Sequence, residues 1–110
     1  MTTKQQSRES TVLHNLNTIY PSIEEMYIDL HKHPELSMQE VQTSAKVASR
    51  LKDAGFEVTS GVGGTEVVGL LRNGPGPTIM LRGDMDALPL EEKTNLPYAS
   101  TVKMKIARAT

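Results

Sequence analysis

The sequence predicts an α/β fold, and three observations carry that expectation. Two helix patterns each open on a Ser-x-x-Glu signature. Two short apolar runs follow, Glu66–Arg72 (EVVGLLR) and Thr78–Arg82 (TIMLR), without the alternation of a half-exposed sheet. Glycine and proline clusters separate them: Gly61, Gly63 and Gly64, then Gly74-Pro75-Gly76-Pro77. Runs that are apolar on both faces belong to strands covered on both sides, as in the sheet of an α/β protein.

The elements follow in order. Residues 1–21 read as a flexible tail or a weak helix. Val12, Leu13, Leu16 and Ile19 keep a helical spacing that Tyr20-Pro21 should end, because proline disfavours the α conformation in the residue before it. The first clear helix starts at Ser22, which forms a capping box with Glu25 and satisfies orphan backbone donors. Its face is Ile23, Met26, Tyr27 and Leu30, and His33-Pro34 breaks it. A second helix opens on Ser37 and Glu40. It lines Val41, Ser44, Ala45, Ala48 and Leu51 on one face, and Ala54-Gly55 ends it with a left-handed cap. Phe56–Ser60 is a short strand. The GPGP link is short enough for EVVGLLR and TIMLR to pair as an antiparallel hairpin. Beyond Asp86 the chain reads as loop.

Composition narrows the function classes. The chain has 110 residues, a net charge of −1 and 37% hydrophobic residues, enough for one domain with a modest core. Its aromatics are only Phe56, Tyr20, Tyr27 and Tyr98, and no basic surplus exists, so a nucleic-acid partner is not expected. There is no cysteine, which removes disulfides and thiolate metal ligands within the chain and fits a cytoplasmic setting. The polar start MTTKQQSREST has no apolar core of a signal peptide. No run approaches the ~20 apolar residues of a membrane span, so no membrane association is expected.

The candidate site lies in LRGDMDALPL, Leu81–Leu90. Asp84 and Asp86 stand at the end of an apolar run, where α/β proteins tend to place ligands. Residues two apart in extended chain point to the same side. Two such carboxylates repel unless a cation, a proton or a hydrogen-bonded histidine relieves them. Carboxylates can ligate a metal directly or orient a ligating histidine; the alternative is a solvated loop with turn-forming aspartates. His31 and His33 are two apart, which on a regular helix sets them on roughly opposite sides. The favoured reading is therefore a helix-end role for both. His14 has no evident partner in the tail. Gly61-Val62-Gly63-Gly64 lacks the Lys-Ser/Thr of a phosphate loop and reads as a turn. Glu91 and Glu92 could contribute to a site, but a solvated loop is the favoured reading.

Taken together, LHKHPELSMQE (Leu30–Glu40), LKDAGFEV, VGGTEVVGLL and GPGPTIMLRGDMDALPLEEKTNLPYAS (Gly74–Ser100) resemble the N-terminal part of an M20-type amidohydrolase. The resemblance is to the subgroup of hippurate hydrolases, N-acyl-amino-acid amidohydrolases and indole-acetyl-amino-acid hydrolases. It runs from about Tyr27 to about Met104.

The resemblance implies two helices followed by strands of a mixed sheet, in a metallo-aminopeptidase-like catalytic domain. It divides the chain into the tail 1–21, a catalytic-domain portion 22–104 and a divergent stretch 105–110. It implies a hydrolase that removes an acyl group from a small-molecule N-acyl amino acid, in a family that is often homodimeric. One or two divalent ions, zinc or manganese, polarise the amide and activate water, with a glutamate as general base. Asp86 matches the aspartate that orients a metal-bound histidine in related members. Asp84 stands where that histidine would be and becomes a site-shaping carboxylate.

Two departures accompany the match. Relatives usually have Thr-Gly where this chain has Thr65-Glu66, and glycine would permit a backbone geometry that glutamate resists. The family's His-Ala-Cys-Gly-His-Asp ligand motif is absent before Thr110. The expectation is therefore a truncated chain that lacks the metal ligands and is inactive alone. The alternative is a non-catalytic fragment that binds or regulates a full-length relative.

Overall fold

The computed structural model describes residues 4–104. The expected divergent stretch 105–110 lies outside the described residues, as do residues 1–3. The elements are α1 (Lys4–Val12), α2 (Leu16–Lys32), α3 (Val41–Asp53), β1 (Glu57–Val62) and β2 (Glu66–Leu70). The class is α/β. Helices precede a two-stranded antiparallel sheet.

The first helical segments differ from expectation. Pro21 does not end a helix; it sits inside α2. Proline removes one amide donor, and the carbonyl left without it is tolerable where water can replace the bond. Residues 16–25 are exposed throughout, so water is available there. Ser22 is consequently mid-helix and caps nothing. Its hydroxyl instead accepts from Arg50 Nη1 of α3 at 2.6 Å.

The second expected capping box is also replaced. Glu40 holds the N-cap position of α3 but makes no side-chain cap bond. The orphan donors of the first turn go to Glu35, whose carboxylate accepts from the Gln42 amide at 3.1 Å and the Thr43 amide at 2.5 Å. Glu40 turns inward. It is 5% exposed, and its Oε2 accepts from the Thr65 hydroxyl at 2.6 Å.

The C-terminus of α3 matches expectation. The Phe56 amide donates to Leu51 O and the Gly55 amide to Lys52 O, both at 3.0 Å, with Gly55 at φ 94°. This paired closure needs a left-handed residue, which glycine supplies without steric cost.

The hairpin forms between β1 and β2, not between β2 and TIMLR. Its register runs Glu57↔Leu70 to Val62↔Glu66, with an irregularity between Ser60 and Val62. The turn is the GVGG stretch, where the Gly64 amide donates to Gly61 O at 3.2 Å. Glu66 opens β2 with an ordinary φ, so the glutamate in place of glycine strains nothing. Val58, Val67 and Gly69 face α3, whose inner side is Thr43, Ser44, Val47, Ala48 and Leu51. Val41 and Ala45, expected on that face, are exposed.

The TIMLR run is not a buried strand. Ile79, Met80 and Leu81 are 86%, 83% and 94% exposed. Among the described residues its backbone makes no hydrogen bond. A run that is apolar on both faces needs a strand on at least one side and a layer above it, and none of the described elements supplies either.

Candidate functional site

The chain returns to the body of the fold just where the aspartates lie. Ala87 forms a parallel bridge with Leu36, and its amide donates to Glu35 O at 2.8 Å. This single attachment sets the alternation of the segment. Met85 and Ala87 are half-buried, while Asp84, Asp86 and Leu88 are exposed. The two carboxylates therefore share the solvent side, as period-two geometry requires. Asp84 Oδ1 meets Arg82 Nη2 at 2.9 Å, an exposed ion pair of small energetic weight.

Glu92 is no solvated loop residue. Its side chain is 15% exposed and gathers three donors. His31 Nε2 donates to both oxygens at 2.9 and 2.8 Å, Thr94 Oγ1 at 2.5 Å and the Ser100 amide at 2.8 Å. A carboxylate only accepts, so Nε2 carries a proton in this arrangement. The bonds from Ser100, Thr94 and His31 outweigh burial and pull the Glu92 carboxyl down to about 2. His31 also meets the ring of Tyr98 edge-on at 5.2 Å, and Tyr27 meets Tyr98 at 6.0 Å. The Tyr98 phenol is raised above its ordinary range, first by hydrogen bonding with Tyr27 and then by burial. Ser100 Oγ adds a long bond of 3.4 Å to Lys32 O. Together these contacts clasp the loop 91–100 onto the end of α2.

His33 takes the helix-end role read from the sequence. Its Nδ1 donates to Asp29 O at 2.9 Å and to Asp29 Oδ1 at 3.1 Å, satisfying a last-turn carbonyl. His31 does not; it reaches across 61 residues to Glu92. The pairing had one faint sequence signal: a histidine in the last turn of a helix and an acidic residue before a Pro-Tyr loop. Nothing in their spacing joined them.

A groove of about 550 Å³ runs between α2 and α3. Its cations are already engaged: Lys46 Nζ lies 2.8 Å from Asp29 Oδ2, and Arg50 holds Ser22. The Asp29 carboxyl is lowered chiefly by its bond to Lys46. A ligand there would have to displace these pairs.

Among the described residues no group of three His, Cys, Asp or Glu side chains could hold a metal ion. The donor set around Asp84 and Asp86 therefore does not fit a complete metal site, and no step through a metal follows from it.

No protein-family model matches the sequence. Curated proteins do match. The chain is 53% identical over 76 residues to thermostable carboxypeptidase 1 of Saccharolobus solfataricus, covering 67% of this chain and 19% of that protein. It is 51% identical over 72 residues to the hippurate hydrolase of Campylobacter jejuni, covering 64% and 19%. Among solved structures, the Bacillus subtilis YXEP protein, a dinuclear metal-binding peptidase of the M20 family, superposes with a TM-score of 0.70 at 40% identity. That match covers 78% of this chain and 24% of the other. The chain is related to the M20 hydrolases. It spans about a fifth of the length of the curated relatives it matches. Divalent metal is a property of this M20 neighbourhood, on the evidence of the dinuclear structure. No helix among the described residues is long and apolar enough to cross a membrane.

Proposed function

We propose that residues 22–104 are a catalytic-domain segment of a metal-dependent amidohydrolase acting on small N-acyl amino acids in the cytoplasm. The observation that carries this reading is the solvent-side pair Asp84 and Asp86, held by the Leu36–Ala87 bridge, in a chain similar to hydrolases of that class. Asp86 is the orienting carboxylate, positioned to hold a histidine ligand that this chain does not itself contribute. Asp84 shapes the site and is steadied by Arg82. The His31–Glu92 clasp fixes the loop that follows. Such enzymes are often homodimeric, and the complete enzyme shares that expectation.

Two assays test the reading. The 110-residue chain with added zinc or manganese should release no amino acid from an N-acyl amino acid above a metal-only control. Turnover clearly above that control would refute the assignment of the metal ligands to positions outside this chain. In the second assay, residues 22–104 replace the matching segment of a hippurate hydrolase. The chimera should keep hydrolysing hippurate, and Asp86→Ala within it should lower kcat by about 10–100-fold, the cost of losing a group that orients a metal ligand. A folded chimera whose activity is indifferent to Asp86 would defeat the proposal.

A further inference from the structure

Asp84 and Asp86 reach the body of the fold through the Ala87 amide, which donates to the Glu35 carbonyl at 2.8 Å. On their other side lies the exposed run 78–82, which gives no support. The pair is therefore placed only as well as the Glu35 carbonyl is placed. That carbonyl belongs to the linker between α2 and α3, which is part of neither helix nor of the hairpin. The linker also contains Pro34, whose nitrogen has no hydrogen to donate.

The side chain of the same residue supplies the missing restraint. The Glu35 carboxylate accepts from two successive amides at the start of α3, Gln42 at 3.1 Å and Thr43 at 2.5 Å. Bonds to an ionised acceptor are roughly twice as strong as neutral ones, and a helix N-terminus favours the negative charge. Thr43 is itself buried, and α3 packs on the β1–β2 hairpin. One residue thus grips α3 with its side chain and the aspartate segment with its main chain. We propose that Glu35 is a positioning residue for Asp84 and Asp86: its carboxylate, seated on the α3 N-terminus, fixes the backbone carbonyl that carries them. Glu35→Ala keeps that carbonyl, so the bond from Ala87 is not deleted. What is lost is the anchor that decides where the carbonyl lies.

The placement stands on this geometry alone, while its effect on turnover rests on the amidohydrolase reading. Two measurements keep these apart. In the 110-residue chain, Glu35→Ala should speed native-state exchange at the Ala87 amide roughly fivefold, in step with Gln42 and Thr43. The Ser100 amide, held by Glu92, should move less. Glu35→Gln keeps one acceptor oxygen and should give a smaller acceleration, again matched at Thr43 and Ala87. Glu57→Ala breaks only an exposed ion pair with Arg72 and should change neither. In the hippurate hydrolase chimera, Glu35→Ala should lower kcat about 3–10-fold and leave KM within about twofold. Added to Asp86→Ala it should cost no more than about twofold further, because a residue acting through Asp86 then has nothing left to place. Faster exchange at Gln42 and Thr43 with Ala87 unmoved in both Glu35 variants would leave Glu35 a helix cap alone and overturn the inference. Equal acceleration at Ser60 and Val67, the mark of global destabilisation, would do the same, as would kcat losses that multiply in the double variant. A chimera indifferent to Asp86, with Ala87 exchange still following Glu35, would defeat the amidohydrolase reading and uphold the placement.

Discussion

Replacing Glu35 with alanine removes both side-chain acceptors from the first turn of α3. The amides of Gln42 and Thr43 then lose the carboxylate that now lies 3.1 and 2.5 Å away. Loss of an N-terminal cap costs about 0.5–2 kcal/mol. Glu35 is only half-buried, so solvent screening places the cost near the middle, about 1 kcal/mol. That is roughly a fivefold rise in local opening, which native-state hydrogen exchange reads directly at these two amides. Exchange at the hairpin amides of Ser60 and Val67 should move less. The pH dependence supplies the sign. Burial raises the Glu35 carboxyl, but the bonds from Thr43 and Gln42 prevail and hold it below its ordinary value of 4.5. The cap is then fully present above pH 4.5 and fades as pH falls through the depressed value. Glu35→Gln, compared with the wild type, should show a protection deficit at pH 6 that shrinks toward pH 3. A deficit of equal size at both pH values, or unchanged exchange in Glu35→Ala, would refute the capping argument.

Three further outcomes follow from the same contacts. Glu92→Gln should loosen the loop 91–100, seen as faster exchange at the Ser100 amide and a shift of the His31 ring resonances. Because the Glu92 carboxyl is drawn from 4.5 to about 2, the wild-type clasp should persist above pH 4.5 and open progressively between 4.5 and 2; a clasp signal flat across that window would contradict it. Gly69→Ala would place a Cβ 3.0 Å from Leu51 Cδ1 and 3.2 Å from Phe56 Cδ2, so about 1 kcal/mol of destabilisation is expected in urea titration, limited by the mobility of the leucine tip. Arg50→Lys should weaken the α2–α3 junction, since a lysine cannot donate to both the Ser22 hydroxyl and carbonyl in the guanidinium geometry; unchanged protection in α2 would argue against that junction.

Local chemistry was legible where it acts on its own neighbours. Gly55 had to be left-handed, and the structure closes α3 there. The GVGG stretch had to turn, and it does. Strongly periodic α3 was visible, although its buried face is rotated toward Thr43 and Val47. The misses share a different cause. Ser22 and Ser37 carry the signature of a capping box, but the signature does not know whether the helix has already begun. Pro21 looked like a stop, yet an exposed carbonyl lets a helix pass it. TIMLR reads as a strand on propensity, and a strand exists only when another chain segment pairs with it. Glu92 was invisible because its meaning depends on His31, 61 residues away. The aspartates were legible as a pair on one side. The groups they would serve were not, because no residue in the described chain supplies them.

The Leu36–Ala87 bridge has a kinetic consequence. α3 and the β1–β2 hairpin contact one another over short stretches of chain, so they can assemble early. The bridge closes a loop of roughly fifty residues for a single backbone hydrogen bond, a poor return on the entropy of closure. Asp84 and Asp86 hang from that bond. Their placement therefore waits on the α3–hairpin contacts, and they stand between that one bond and the exposed, unpaired run 78–82.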